Sequence, residues 1–244
     1  MSADAQGHLS HAGAAPAAIQ FHYDAGSAFF RLWLGKTMTY TAARFEDGIA
    51  NEAAPDALDR AQDNKLRHHL NAIEAGPGMR ILDVGCGWGT LMRYAVEVFG
   101  VEAATGLTLS EDQFEYVTSQ GVSRVDIRLQ SYEHFEPPGV FDGIVSVGAF
   151  EHFVKPTLSK EQKIAAYANF FALCHKWLAP NRRLSLQTMA WGNVPADRHS
   201  EISIQRFFPD SDLPYIEEVI EASKDYFEVL TFENRRRDYE LTLR

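Results

Sequence analysis

The chain has 244 residues and a formal net charge of −10, and hydrophobic residues make up 45% of it. That is enough apolar material for a large core, and 16 Phe, 9 Tyr and 4 Trp can line a pocket besides. The acidic balance argues against nucleic acid as a partner, because binding phosphates needs a basic face. It speaks, more mildly, against residence on an anionic membrane. Cys86 and Cys174 are the two cysteines, too few for a disulfide framework. No run of about 18 apolar residues could span a bilayer, and no secretory leader is evident. The expectation is a cytoplasmic protein without a transmembrane segment. A homo-oligomer is left open.

Residues 1–18 are rich in Ala, Gly, Ser and His without periodicity, which predicts a disordered tail. From Ile19 to Phe45 aromatic and polar residues are mixed, as in a segment folding over a pocket. Residues 55–75 read as a helix ended by Gly76-Pro77-Gly78. Strands and helices then alternate. Strands are predicted at Met79–Val84, Val101–Leu107, Val125–Leu129, Phe141–Val147, Arg183–Met189 and Phe227–Glu233. Helices are predicted at Thr90–Phe99, Ser110–Gln120, Lys160–Leu178, where Pro180 stops the pattern, and Ile216–Ser223. This alternation implies an α/β fold, with a doubly wound, mostly parallel sheet covered on both faces.

The strongest local signal is Ile81-Leu82-Asp83-Val84-Gly85-Cys86-Gly87-Trp88-Gly89-Thr90. An apolar strand runs into three alternating glycines and then a helix, so a ligand can lie against the main chain at the strand's carboxyl end. The spacing differs from the dinucleotide fingerprint, G-x-G-x-x-G. Asp83 beside the loop suits a cationic ligand better than a pyrophosphate; it either touches that ligand or holds the loop together. Cys86 has no base beside it in sequence and reads as a small packing residue.

Asp83–Gly89, Gly106–Ser110, the run Gly148-Ala149-Phe150-Glu151-His152-Phe153, His22-Tyr23-Asp24 and Thr39-Tyr40-Thr41 occur in order. Together they resemble the cyclopropane fatty acid and mycolic acid synthases, a family of S-adenosylmethionine (SAM)-dependent methyltransferases. The resemblance covers roughly residues 20–244. It implies a class I methyltransferase fold, with residues 19–75 as an N-terminal helical lid and 76–244 as the SAM-binding domain. It also implies SAM contacts from Tyr40, Thr41, the loop glycines Gly85, Gly87 and Gly89, Thr108, Gln113, Tyr132 and Glu133, which join Asp83 as candidate cofactor-binding residues. Tyr132 stands where the family has Trp; it either stacks on adenine or is a boundary aromatic at a strand end.

The family builds its reaction site around a bicarbonate base held by a Glu, a Cys, a His and a Tyr. Glu151 and Tyr239 match two of these holders. Ala42 stands at the Cys position and Gln187 at the His position, so the resemblance breaks at half of the set. Glu151 is therefore expected to act alone as base or cation stabiliser, unless it is a buried capping carboxylate. Tyr23 and Tyr239 join it as candidate catalytic groups, and no metal is implied.

Weaker candidates read as structural. His68-His69 is expected to be an exposed helical pair without metal-ligand spacing, and Asp210-Ser211-Asp212 a loop turn. Arg235-Arg236-Arg237 either attracts an anionic substrate or is a solvated strand end. No candidate is found for the antiparallel strand that this fold normally adds between the fifth and sixth, which would leave the sixth with an open edge. The reading favoured by the sequence is C-methylation of a hydrophobic unsaturated small molecule, of terpenoid or polyketide type, through a carbocation. Methylation or cyclopropanation of acyl chains, small-molecule N-methylation and non-catalytic SAM binding stand beside it.

Overall fold

Five short apolar runs pair into one parallel sheet in a computed structural model that describes residues 13–14, 19–20, 23, 26–45, 54–193, 208 and 210–244. Most of the expected tail, together with His22, Asp24 and Phe207, lies outside the described residues. The strands are β1 (Arg80–Val84), β2 (Ala103–Thr108), β3 (Val125–Leu129), β4 (Phe141–Val147) and β5 (Leu178–Gln187), in the order β3-β2-β1-β4-β5. The helices are α1 (Ser27–Phe30), α2 (Ala57–Ala72), α3 (Thr90–Glu97), α4 (Glu111–Gln120), α5 (Lys160–Trp177), α6 (Ile216–Ser223) and α7 (Arg236–Thr242).

Two apolar clusters fill the two faces of the sheet. One gathers Leu70, Ile73, Ile81, Met92, Ala95 and Val145 under α2 and α3. The other gathers Ile144, Phe150, Tyr167, Phe170 and Trp177 under α5 and α6. β1 and β4 contribute to both clusters, which is why they read as unbroken apolar runs rather than alternating ones. Helix starts are set by local chemistry: Ser110 accepts the Gln113 amide at 3.2 Å, and Ser159 closes a capping box with Gln162.

Three expectations are corrected. The stretch 227–233 forms no strand; Val229, Leu230 and Phe232 are 50%, 66% and 62% exposed. It pairs with no strand among the described residues, although β5 has an open edge, and a strand without a partner gains nothing from its pattern. β5 begins at Leu178, directly after α5, instead of at Arg183, and ends at Gln187 instead of Met189. Pro180 therefore lies within it, at a register break between Phe141↔Leu178 and Gly143↔Arg183, as an edge strand tolerates. Finally, α7 forms at residues for which no regular element was predicted. It docks on residues 43–45 through Thr242, Arg235 and Leu241.

Candidate functional site

Consecutive strands wind in opposite directions from β1: β2 and β3 lie to one side, β4 and β5 to the other. The loops that leave β1 and β4 part there, which opens a crevice at the carboxyl ends of the strands. A cavity of about 460 Å³ occupies it, within the range of small-molecule sites. Tyr23, Tyr40, Thr41, Asp83, Gly85, Gly87, Thr108, Gln113, Tyr132 and Glu133, all expected at the site, line it.

Gly87 lines the cavity at φ +54°, and a Cβ added there would meet nothing within 4 Å, so open space lies beside the main chain at this position. Gly89 does not line the cavity; it caps α3 at φ +73°. At the end of β2, Thr108 Oγ1 donates to Gln113 Oε1 at 2.7 Å, which fixes both polar groups on the cavity wall. Tyr132 packs against Phe153 at 4.5 Å between ring centres and presents an aromatic surface to the same space.

The opposite wall is a strap, residues 37–45, with no regular secondary structure of its own. It passes just beyond the end of β4, where Gly148 lacks a side chain: a Cβ there would stand 2.4 Å from Thr41 Cγ2. Lys65 Nζ donates to Thr41 Oγ1 at 2.7 Å and Gln62 Nε2 to Thr41 O at 3.0 Å. Lys65 and Asp83 are both buried and both line the cavity. Burial pushes the Lys65 amine down to about 7 against the pull of Asp83. Burial likewise pushes the Asp83 carboxyl up to about 7 against the pull of Lys65. An open glycine cradle, two opposite buried charges and an aromatic wall fit a cosubstrate with a zwitterionic amino-acid end and an adenine ring.

Glu151 follows β4 in a single turn of 3-10 helix. It is 3% exposed; Oε1 accepts the Met189 amide at 2.7 Å, and Oε2 has no partner among the described residues. Burial raises its carboxyl above the usual range, opposed by the Met189 amide. Burial, Tyr40 and Glu151 together hold the Tyr23 hydroxyl far above its ordinary value. Tyr239, on α7, is 39% exposed, and its hydroxyl is raised by burial and then by the charge of Glu151. Glu151 and Tyr239 themselves do not line the cavity.

The family's way of holding bicarbonate meets a definite obstacle here. Ala42 brings no polar side chain, and both ends of the Gln187 amide are engaged within the protein. Nε2 donates to Ala42 O at 3.0 Å, while Oε1 sits 2.9 Å from His69 Nε2. The residues present do not fit a bicarbonate held as in the family.

His69 also overturns the expectation of an exposed pair. It is 3% exposed, with Nδ1 2.9 Å from Ser185 Oγ, and burial drives its imidazole down to about 4. Asp212 does more than turn a loop: it pairs with Lys163 and accepts from Trp191 Nε1 at 3.1 Å. Arg235 ties Asp238 and Phe45 O, a structural role. Lys65 is the functional candidate that sequence reasoning missed. Its signal was present, since it stands four residues from Ala61 and four from His69 on the buried face of α2.

A doubly wound α/β domain with this glycine loop is the class I SAM-dependent methyltransferase fold. The chain aligns over 96% of its length with a cyclopropane synthase of Mycobacterium tuberculosis, MmaA2, at TM-score 0.80 and 32% identity, covering 82% of that chain. It aligns over 93% with the mycolic acid cyclopropane synthase CmaA1 complexed with S-adenosylhomocysteine (SAH) and CTAB, at TM-score 0.76 and 32% identity, covering 80% of that chain. The model of the family described as mycolic acid cyclopropane synthetase matches residues 12–244, and the chain belongs to that family. Cyclopropane mycolic acid synthase 2 of Mycobacterium leprae is 35% identical over 83% of this chain and 68% of its own length. Cyclopropane mycolic acid synthase 3 of Mycobacterium tuberculosis is 34% identical over 92% and 78%. The protein is a SAM-dependent methyltransferase. No helix among the described residues is long and apolar enough to cross a membrane.

Proposed function

We propose that this enzyme transfers a methyl group to a double-bond carbon of a hydrophobic unsaturated acyl chain, with Glu151 acting without bicarbonate. The observation that carries the reading is the buried Glu151 carboxylate, one oxygen fixed by Met189 and the other without a partner among the described residues, at the carboxyl end of β4. The names of the relatives, cyclopropane mycolic acid synthases, support acyl chains over the terpenoid or polyketide class. A likeness to geranyl diphosphate C-methyltransferase at 15% identity speaks for the fold alone.

Bound in the cavity, SAM supplies an electrophilic methyl group from its sulfonium. Attack by the alkene leaves a carbocation on the neighbouring substrate carbon. Glu151 stabilises that charge in a poorly solvated site and accepts the departing proton, which its raised proton affinity suits. Tyr23 and Tyr239 are assigned the aromatic faces beside the cation. Loss of a proton from the new methyl carbon closes a cyclopropane; loss from an adjacent chain carbon leaves a methylated alkene. Tyr40, Thr41, Gly85, Gly87, Thr108, Gln113, Tyr132 and Glu133 are assigned to holding SAM, and the segment 19–45 to excluding water.

A second reading, methylation of a smaller unsaturated metabolite, is favoured by one observation: Ala42 and Gln187 depart from the family at the reaction site. Purified enzyme, SAM with a trideuterated methyl group, and parallel panels of unsaturated acyl lipids, terpenoids and amines separate the readings by mass spectrometry. Label in the acyl panel is expected, with three deuterons kept in a methylated alkene and two in a cyclopropane. Label confined to terpenoids or amines would overturn the acyl assignment.

A further inference from the structure

Lys65 and Asp83 are buried, oppositely charged residues that line the cavity, and the proposed reaction gives neither a role. Lys65 stands on the core side of α2, 2% exposed, where an amine loses its hydration. Its Nζ makes a single hydrogen bond among the described residues, the one to Thr41 Oγ1. An ammonium has three donors, so donors remain beside a cavity that Lys65, Thr41 and Asp83 line together. A buried lysine that served only to tie the strap would be an expensive choice, since Gln62 already holds Thr41 through its carbonyl.

We propose that Lys65 binds the carboxylate of the cofactor's methionine moiety, opposite Asp83, which faces its ammonium. The two protein charges and the two ligand charges then form complementary pairs in a site from which water is excluded. A carboxylate at Lys65 fills the ammonium's remaining donors and restores the charged state that burial opposes. Because the same Nζ holds Thr41, cofactor binding also orders the strap that crosses Gly148. The inference rests on the cavity being the SAM site.

Calorimetry with SAM and with decarboxylated SAM, which lacks only the carboxylate, tests it. The unaltered protein is expected to bind decarboxylated SAM roughly ten- to a hundredfold more weakly, the usual size for a charged hydrogen bond. In Lys65→Met, SAM should weaken by a similar factor while decarboxylated SAM changes little, so that the preference disappears. Lys65→Gln, which keeps a donor for Thr41, should also lose the preference and serves if the Met variant does not fold. Equal binding of the two ligands by the unaltered protein would overturn the proposal. So would an equal loss for both ligands in the Lys65 variants, which is what a purely structural lysine would give. Gly87→Val separates the underlying reading: if it weakens neither ligand, the cavity is not the SAM site. If it weakens both while the Lys65 variants keep their preference, only the Lys65 assignment fails.

Discussion

The two walls of the cavity are built by different means. The glycine loop between β1 and α3 is fixed locally: an apolar strand, three glycines with positive φ and a helix start determine its path within ten residues. The strap at 37–45 has no such internal logic. Its position is held from outside, by Gln62 and Lys65 on α2, Gln187 on β5, and Arg235 and Thr242 near the C-terminus. A wall made of local signals tolerates change elsewhere in the chain. A wall made of distant hydrogen bonds is sensitive to substitutions far away in sequence.

The largest effect is expected outside both walls, at the carboxylate assigned to the chemistry. Glu151→Gln should lower turnover roughly 10²-fold or more with SAM affinity nearly unchanged, the usual size for a lost base or charge stabiliser. Full turnover in that variant, measured with the labelled-methyl assay, would remove Glu151 from the chemistry.

On the locally built wall, Gly87→Val should weaken SAM binding at least about tenfold, with strain at a left-handed position adding on the order of 1–3 kcal/mol of destabilisation. Calorimetry and melting separate the two contributions. Unchanged affinity would move the cofactor site elsewhere.

On the wall held from outside, Gln187→Leu should destabilise the fold by about 1–3 kcal/mol, because Ala42 O and His69 Nε2 lose a buried partner. Turnover should fall as the strap loosens at Ala42. Denaturant titration with an unaltered midpoint would show that this tie contributes nothing.

His69 gives the same region a pH signature. Its folded-state imidazole is lowered to about 4 from 6.5, by burial first and also by Lys65, His68 and Arg44. The unfolded chain therefore takes up a proton near 6.5 that the folded chain refuses until about 4, and stability is lost as pH falls through that window. At pH 5.5 the loss amounts to about 1.4 kcal/mol. His69→Gln should flatten that part of the stability curve; an identical slope would refute the assignment. The smallest effect expected is none: stripping bicarbonate from the buffer should leave turnover unchanged. A strong dependence would mean that the site still holds the anion despite Ala42 and Gln187.

β3, β4 and α6 stand at the residues that periodicity predicts, and α4 lies within one residue of its expected start, because each carries its own pattern, cap or turn. The glycine loop and the polar pair Thr108 and Gln113 were legible for the same reason. By itself, then, the sequence determined where β1 to β4 run, to within about two residues, the cofactor loop and the family. Tertiary structure alone decided that residues 227–233 stay unpaired, that α7 docks on the strap and that His69 and Lys65 are buried. Strand pairing and desolvation depend on which distant segment arrives alongside, and no local pattern encodes that. Lys65 shows the boundary most clearly: its position on the apolar face of α2 was readable, but that Thr41 would meet it there follows only from the strap passing the end of β4 at Gly148.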